Sequence, residues 1–443
     1  MSQASEKPLT RLLSMAVKVE TPEVKAVLLS FLCNFVLLAS YYILRPLRDT
    51  MATVFGAEEL ENLFTGTFVI TFLCAPIYAA VAARVRLERF LPGLFWFWLL
   101  NILVFYVLFQ VAPQDRWVAA GYFWWFSVVN LFLISVFWTF MADIFSTRQA
   151  PRLFAFIAAG GSTGAIAGPI ITTLLVETVG AGGLLLIAAA GFLVVILLIH
   201  LLMREKEKLR ITKQDVQQTT LNHTLPGNPF RGFGLLMKSP YLLAQAAFML
   251  LLTWVATVTY FLQADLIAKS YAGVESRTIA FANLDLIVNV ASALILIFGL
   301  GRAIQRFGIT ASLVLTPVVM MGAFCGLAAA PTLLMVQITR ALQRITQYAI
   351  ARPSREILFT VVDQESRYKA KNVIDTVVYR FGDLSAAWMQ AGLRMANFGV
   401  LGAAALGLAA SAAWAAVAFG MGRRYEAVRD TDKKPSEAIS AAY

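Results

Sequence analysis

Apolar stretches of about 20 residues recur along the whole chain, and they constrain its fold more than any other feature. In one of them, 182–203, no charged residue interrupts a run of leucine, isoleucine, alanine and valine. A stretch of this length can cross the hydrocarbon core as one helix, which satisfies its own backbone hydrogen bonds in lipid. Charged residues make up only 14% of the chain, against about 25% in soluble domains. We therefore expect an all-α polytopic membrane protein.

The apolar stretches predict roughly twelve transmembrane helices at the usual length of a span. They are placed at 26–50, 62–83, 90–111, 117–142, 153–176, 182–203, 241–263, 278–300, 309–329, 332–351, 372–395 and 399–421. The connections after even-numbered spans carry most of the lysines and arginines. Because basic loops stay in the cytoplasm, this asymmetry predicts an inner-membrane protein with both termini cytoplasmic.

The polar stretch 204–240 divides the predicted helices into two groups of six. Similar basic segments follow the second and eighth spans, at 83–90 and 301–307, which indicates that the two groups are related. The expected organisation is a cytoplasmic N-terminal segment 1–25, an N-terminal six-helix half 26–203, a cytoplasmic central loop 204–240, a C-terminal six-helix half 241–421 and a cytoplasmic tail 422–443. Two related halves are typical of secondary transporters, whose substrate site lies near the bilayer midplane.

Three charged residues, Arg45, Arg48 and Asp49, follow the first apolar run directly. Charge at membrane depth is costly, so such residues usually face a partner or a watery cavity on a solute pathway. Arg45 and Asp49 are four residues apart and can pair on one helix face. The alternative is that the helix ends here and the arginines lie at the outer interface.

A polar stripe in the tenth span comprises Gln337, Arg340, Arg344 and Gln347. Spacings of three and four residues place these side chains on one helix face. The planar guanidinium matches carboxylate and phosphate groups, so the stripe predicts a lining that binds an anion. The alternative is that the arginines pair with acids of neighbouring helices only to pack the bundle.

Further polar residues lie in the eighth and eleventh spans. Arg380 and Asp383 are three residues apart and can pair, and Asp375 lies near the cytoplasmic end of the same span. Asn283 and Asp285 could contact a solute or join helices through hydrogen bonds. The candidates for proton coupling, or for charge partners of the arginines, are Asp49, Asp285, Asp375 and Asp383.

A glycine run in the fifth span has Gly160, Gly164 and Gly168 at intervals of four residues. The run lacks the lysine of a phosphate-binding loop and lies within a span, so we expect close helix packing. No ligand spacing for a metal and no nucleophile cluster is apparent, and we expect no cofactor, no enzymatic activity and no nucleic-acid partner. The predicted partners are a small anionic solute and the lipid bilayer, with the protein as a monomer.

Three segments of the chain resemble the bacterial and plastid nucleotide transporter family, the ATP/ADP antiporters of the major facilitator superfamily. Tyr42–Met51 is similar to the family's Leu-Arg-Asp-x-Lys-Asp-Thr segment. The corner between the fourth and fifth spans, with Phe137-Trp138 and 152–156, precedes the glycine run as in that family. The stretch 347–375 looks like the family's Lys-Tyr, Lys-Glu and Lys-x-Lys-x-Ala-Ile-Asp elements. The resemblance implies a two-half transporter of nucleotides or related anions.

These expectations combine into a secondary active transporter that works by alternating access. Arg45, Arg48, Asn283, Arg340, Arg344, Gln347 and Arg380 are the expected substrate-binding residues. One alternative is proton-driven export of an uncharged or cationic compound, in which the acids carry the coupling proton. Another is a membrane sensor on the same fold that transports nothing.

Overall fold

The computed structural model describes residues 19–20, 23–84, 87–146, 149–212 and 231–440, which are helical almost throughout. The α-helices of these residues are α1 Val24–Gly56, α2 Leu60–Arg84, α3 Leu87–Val111, α4 Arg116–Ile144, α5 Ala150–Thr212, α6 Arg231–Lys238, α7 Pro240–Ser270, α8 Val274–Leu294, α9 Leu300–Ala329, α10 Leu333–Thr346, α11 Arg352–Leu358, α12 Gln364–Val373, α13 Tyr379–Met395 and α14 Gly399–Ser440. Most of the predicted N-terminal segment, the middle of the predicted central loop and the last residues of the predicted tail lie outside the described ranges.

Two of the long helical runs are interrupted at a glycine. Gly180 within α5 has φ 69° and ψ 178°, and Gly308 within α9 has φ 80° and ψ 170°. A positive φ strains residues with a Cβ, whereas glycine adopts it readily. Each run is therefore two helices in succession, joined by a turn that the glycine makes possible.

Seven continuous helical stretches in the described part of the chain are long and apolar enough to cross a membrane. Large apolar side chains lie on their outer surfaces, among them Phe72, Leu174, Leu197 and Ile297, which are all exposed. Such a surface is unfavourable in water and favourable in lipid. The distribution of apolar side chains therefore agrees with the prediction of an all-α membrane protein.

The described residues form two compact units that the chain enters more than once. The first unit contains described residues of Met1–Phe55, Val69–Leu225 and Ala272–Leu286. The second contains Gly56–Phe68, described residues of Pro226–Tyr271 and those of Ile287–Tyr443. Two short segments are thus grouped away from their sequence neighbours, the start of α2 in the second unit and the start of α8 in the first.

In the first unit, α5 packs closely against α1 at the glycine run. A Cβ atom added to Gly168 would lie 2.6 Å from the backbone oxygen of Ala39, and one added to Gly160 or Gly164 would meet the backbone oxygens of Phe31 or Phe35. The absence of a side chain at these positions lets the two backbones approach.

The interior of the second unit is built from α7, α9 and α14. The ring of Trp414 is fully buried and meets that of Phe248 edge-on, with centroids 5.3 Å apart. Leu252, Leu313 and Phe324 are buried in the same apolar cluster. This core holds α7 in place, and α7 contacts the helices that carry the polar stripe and the Arg380–Asp383 pair.

Three π-helical turns interrupt the helices of the second unit, at Ile295–Gly299, Gln347–Ala351 and Ile374–Val378. A π-helical turn accommodates an extra residue and occurs often at functional sites. Two of these turns carry residues that the sequence selects, Gln347 and Asp375. They rotate the following part of each helix relative to a regular α-helical continuation.

Candidate functional site

The first set of candidates lies in the interior of α1. The helix continues through Pro46 to Gly56, so Arg45, Arg48 and Asp49 do not mark a helix end. The side chain of Arg45 is 12% exposed and that of Arg48 is 18% exposed. The alternative that these arginines lie at a helix terminus is therefore not what the structure shows.

Ion pairs connect these charges to an acid far away in the sequence. Arg48 pairs with the adjacent Asp49, and Nη1 of Arg45 lies 3.7 Å from Oδ1 of Asp285 on α8. Asp285 is almost completely buried. The start of α8 is also joined to α1 through the Thr50 and Thr278 hydroxyls, 2.9 Å apart. Asp285 therefore belongs with Arg45 and Arg48 in the first unit.

Aromatic rings and one amide complete the surroundings of this set. The guanidinium of Arg48 lies 4.8 Å from the centre of the Phe123 ring, and that of Arg45 lies 5.5 Å from the Tyr42 ring. Asn283 accepts a hydrogen bond from Thr173 at 3.2 Å. Contacts of guanidinium groups with ring faces stabilise the positive charge.

The polar stripe of α10 lies in the second unit and is linked by hydrogen bonds. Nη1 of Arg340 donates to the backbone oxygen of Ala256 at 2.8 Å and to Oε1 of Gln343 at 2.7 Å. Gln343 in turn donates to Gln347, and Gln263 on α7 donates to Gln337 at 3.1 Å. Hydrogen bonds thus connect Arg340, Gln343 and Gln347 with one another and Gln337 with α7, and we call this stripe the polar seam.

Four arginines of the second unit, two in the polar seam and two outside it, each lie beside a tyrosine ring. The distances from guanidinium carbon to ring centre are 5.4 Å for Arg340 and Tyr260, 5.7 Å for Arg344 and Tyr348, 5.2 Å for Arg352 and Tyr348, and 5.9 Å for Arg380 and Tyr379. Arg344 is only 3% exposed. The second unit thus holds four guanidinium groups beside three tyrosine rings, because Arg344 and Arg352 share the ring of Tyr348.

The predicted pair of α13 is present beside this group. Nη1 of Arg380 lies 3.6 Å from Oδ2 of Asp383. Asp383 also accepts from the hydroxyl of Thr257 on α7 at 3.2 Å. The hydroxyl fixes the carboxylate next to α7, so the pair is anchored to the same helix as the polar seam.

Asp375 belongs to a separate charge cluster of the second unit. Nη2 of Arg355 lies 2.5 Å from Oδ1 of Asp375 and 3.4 Å from Oε1 of Glu356. Lys371 forms a further ion pair with Glu356. Arg355 is almost completely buried. The Arg355–Asp375 ion pair therefore joins the π-helical turn at Ile374–Val378 to α11.

The structure adds residues that the sequence does not single out. Gln343 is 2% exposed and bridges Arg340 to Gln347, and its spacing of three and four residues from them could have revealed it. Tyr260 carries no distinguishing signal, because aromatic residues are frequent throughout the chain, whereas Tyr348 follows Gln347 in the stretch that resembles the nucleotide transporters' Lys-Tyr element. Among the described residues, no group of three or more His, Cys, Asp or Glu side chains could hold a metal ion.

Comparisons with known proteins agree with this architecture. A family model of the Major Facilitator Superfamily matches residues 30–342. The chain is 23% identical over 89% of its length to ADP,ATP carrier protein 1 of Chlamydia pneumoniae, covering 89% of that protein. The corresponding protein of Chlamydia trachomatis is also 23% identical, with 89% of this chain and 86% of that protein covered.

Solved transporter structures share the fold. The nucleoside transporter NupG superimposes with a TM-score of 0.61 at 14% identity, covering 91% of this chain and 98% of that one. A bacterial homologue of the iron transporter ferroportin gives 0.62 at 13% identity, covering 90% and 99%. The resemblance derived from sequence motifs is confirmed, and transport rather than enzymatic catalysis is the activity of these relatives. The chain therefore belongs to the Major Facilitator Superfamily and is a multi-pass membrane transporter.

Proposed function

We propose that the protein is a secondary active transporter that moves a small anionic metabolite across the inner membrane by alternating access. The observation that carries the proposal is the group of Arg340, Arg344, Arg352 and Arg380, whose guanidiniums lie beside tyrosine rings in one unit. Guanidinium groups recognise phosphate and carboxylate with paired, parallel hydrogen bonds. Aromatic rings in such a site offer flat surfaces for a planar part of the solute.

Nucleotides are the substrate class that we favour among the phosphorylated and carboxylated solutes. The relatives named ADP,ATP carrier proteins match the chain over 89% of its length, although at 23% identity. A nucleotide carries both polyanionic phosphates and a planar base, which is the combination that clustered arginines and tyrosines can accommodate. We propose direct roles in binding for Arg45, Arg48, Asn283, Arg340, Arg344, Gln347 and Arg380.

The candidate acids serve as charge partners of the arginines in this proposal. Each of the four lies in an ion pair with an arginine: Asp49 with Arg48, Asp285 with Arg45, Asp375 with Arg355 and Asp383 with Arg380. An anion that displaces such a carboxylate keeps the arginine compensated, and the displaced carboxylate must then take a proton or turn to another cation, because a buried charge without a partner is costly. We propose exchange of anions, in which one anion leaves the arginine as the carboxylate returns, and uptake by such exchange should persist when the proton gradient is collapsed.

We also propose that the protein has twelve spans, that both termini lie in the cytoplasm and that it is a monomer. Three of the seven apolar helical stretches have 51, 57 and 56 residues, and each is long enough for two spans of roughly 20 residues. Two more spans are expected around α10 and α13, where charged and amide side chains reduce the hydropathy. The proposed halves remain 26–203 and 241–421, joined by the loop 204–240.

A binding screen tests the substrate class. Thermal unfolding of the detergent-purified protein is measured with ADP, ATP, inorganic pyrophosphate, sugar phosphates and dicarboxylates. A ligand at one hundred times its dissociation constant stabilises the folded state by about 2.7 kcal/mol, so a cognate anion should raise the unfolding temperature clearly. The absence of a shift with every one of these anions would overturn the proposal.

Transport by variants then tests the arginines. Arg344→Gln and Arg48→Gln should reduce uptake of ADP into proteoliposomes at least tenfold, because a hydrogen bond to a charged group contributes about 1.5–3 kcal/mol. Arg344→Lys should retain part of the activity, since it keeps the charge and loses the fork. Arg424→Gln, at an exposed position of α14, is the matched control. Unchanged uptake by both glutamine variants would contradict the proposed site.

A further inference from the structure

Arg352 differs from the other arginines of the second unit in its exposure. It begins α11 directly after the π-helical turn at Gln347–Ala351 and is exposed, whereas Arg344 is buried. Among the described residues, no carboxylate forms an ion pair with Arg352. Its neighbour Arg355, by contrast, is held by Asp375. Within the part of the chain that the structure describes, Arg352 is therefore a guanidinium with no carboxylate partner, placed next to a group of shielded ones.

Tyr348 connects Arg352 to the buried part of the seam. The same phenol ring lies 5.2 Å from the guanidinium of Arg352 and 5.7 Å from that of Arg344. Arg352, Tyr348 and Arg344 thus form a sequence of decreasing exposure, from an exposed cation through a partly buried ring to a buried cation.

An anion that approaches from water meets the exposed cation first. The attraction between opposite charges acts over about 8–10 Å at physiological salt, so an exposed guanidinium raises the local concentration of anions. Transfer from Arg352 to Arg344 along Tyr348 keeps a cation close to the anion throughout. Without the intermediate contacts, the anion would lose its water before it reached a buried partner, which is costly.

We propose that Arg352 and Tyr348 form an entry station, at which the phosphate or carboxylate group of the solute first binds before it reaches Arg344. The inference rests on the proposed anion transport and adds a first contact for the solute outside the buried site. The charge asymmetry of the loops predicts that α11, which follows the polar seam, lies on the cytoplasmic side. The entry station should therefore serve loading from the cytoplasm. The opposite side should not depend on it.

The test compares Arg352→Gln with Arg306→Gln as a matched control. Arg306 is likewise exposed, belongs to the second unit and lies 5.5 Å from the ring of the neighbouring Phe307. Initial rates of ADP transport are measured in proteoliposomes, from each side separately, at low and at physiological salt. Arg352→Gln should raise KM for the α11 side by roughly 5- to 20-fold with kcat within about twofold, and should flatten the dependence on salt. Arg306→Gln should change neither quantity.

Tyr348→Leu separates the ring from the charge. It should lower kcat more than it raises KM, because the first contact at Arg352 remains and the passage to Arg344 is impaired. If Arg352→Gln matches Arg306→Gln in KM and in salt dependence, the entry station is wrong while anion transport stands. If the wild-type protein is stabilised by none of the anions of the binding screen and transports none of them, both the proposed function and this inference are overturned.

Discussion

Arg152 shows at the scale of single residues how burial changes the importance of an ion pair. Its Nη2 atom lies 2.7 Å from Oε1 of Glu23 and 3.4 Å from Oε1 of Glu20. Glu23 is fully buried and also accepts from Gln149 at 2.5 Å, whereas the side chain of Glu20 is 57% exposed. The two acids share one arginine in two different environments, so they form a natural matched pair.

Glu23→Gln should lower the free energy of unfolding by about 1.5–3 kcal/mol, because a buried hydrogen bond to a charged group is weakened. Glu20→Gln should cost at most about 1 kcal/mol, as exposed ion pairs do. Thermal unfolding of the two variants in detergent measures the difference. Equal shifts in unfolding temperature would show that the buried carboxylate has no special role in attaching the start of α1 to α5.

The contact between α1 and α5 shows at the scale of elements why glycines occur at intervals of four. A Cβ atom at Gly164 would meet the backbone oxygen of Phe35, which cannot move aside as a side chain can. Gly322 in α9 is also helical but has no atom within 4 Å of the same added Cβ position. The two glycines therefore separate the effect of packing from that of helix propensity.

Gly164→Ala should destabilise the protein by about 1–3 kcal/mol, the usual cost of overpacking, and should reduce transport if α5 slides on α1. Gly322→Ala should be neutral or stabilise by up to about 1 kcal/mol, since alanine favours the helix. Thermal unfolding and ADP uptake of both variants provide the measurement. A stabilising effect of Gly164→Ala would mean that the helices do not pack as the structure shows.

The arrangement of all spans is the feature that matters at the scale of the whole molecule. The charge asymmetry of the loops predicts that both termini lie in the cytoplasm. Gln114, between α3 and α4, is predicted outside, and Met237 on α6 is predicted inside; both side chains are exposed. If the predicted orientation holds, labels at these two positions report on opposite sides of the membrane.

Single cysteines at these positions, introduced after Cys33, Cys74 and Cys325 are replaced, should react differently with a membrane-impermeant maleimide. In intact cells Gln114→Cys should be labelled, and Met237→Cys should be labelled only after permeabilisation. A fluorescent protein fused to the C-terminus should fluoresce, which it would not do outside the cytoplasm. The reverse pattern would overturn the predicted orientation.

The candidate site shows which contacts can be predicted from the period of a helix and which cannot. Arg340, Arg344 and Gln347 could be placed on one face because they share a helix and its 3.6-residue period. The pairing of Arg45 with Asp285 could not be foreseen, because the two residues lie on helices far apart in sequence. Tyr260 was not predicted for the same reason, since a ring beside a guanidinium is a property of the packing. Tyr348 stands in the stretch that resembles the family's Lys-Tyr element, but its contact with two arginines also depends on the packing.

The amino-acid sequence alone was enough to predict an all-helical membrane protein with arginines in its apolar stretches, because apolar length and local spacing act within one helix. Its motifs also indicated the superfamily. The three-dimensional arrangement was needed to show which acid accompanies each arginine, which glycines contact a neighbouring backbone and where π-helical turns interrupt a helix. These features depend on contacts between distant segments, which burial and packing select and local sequence does not encode.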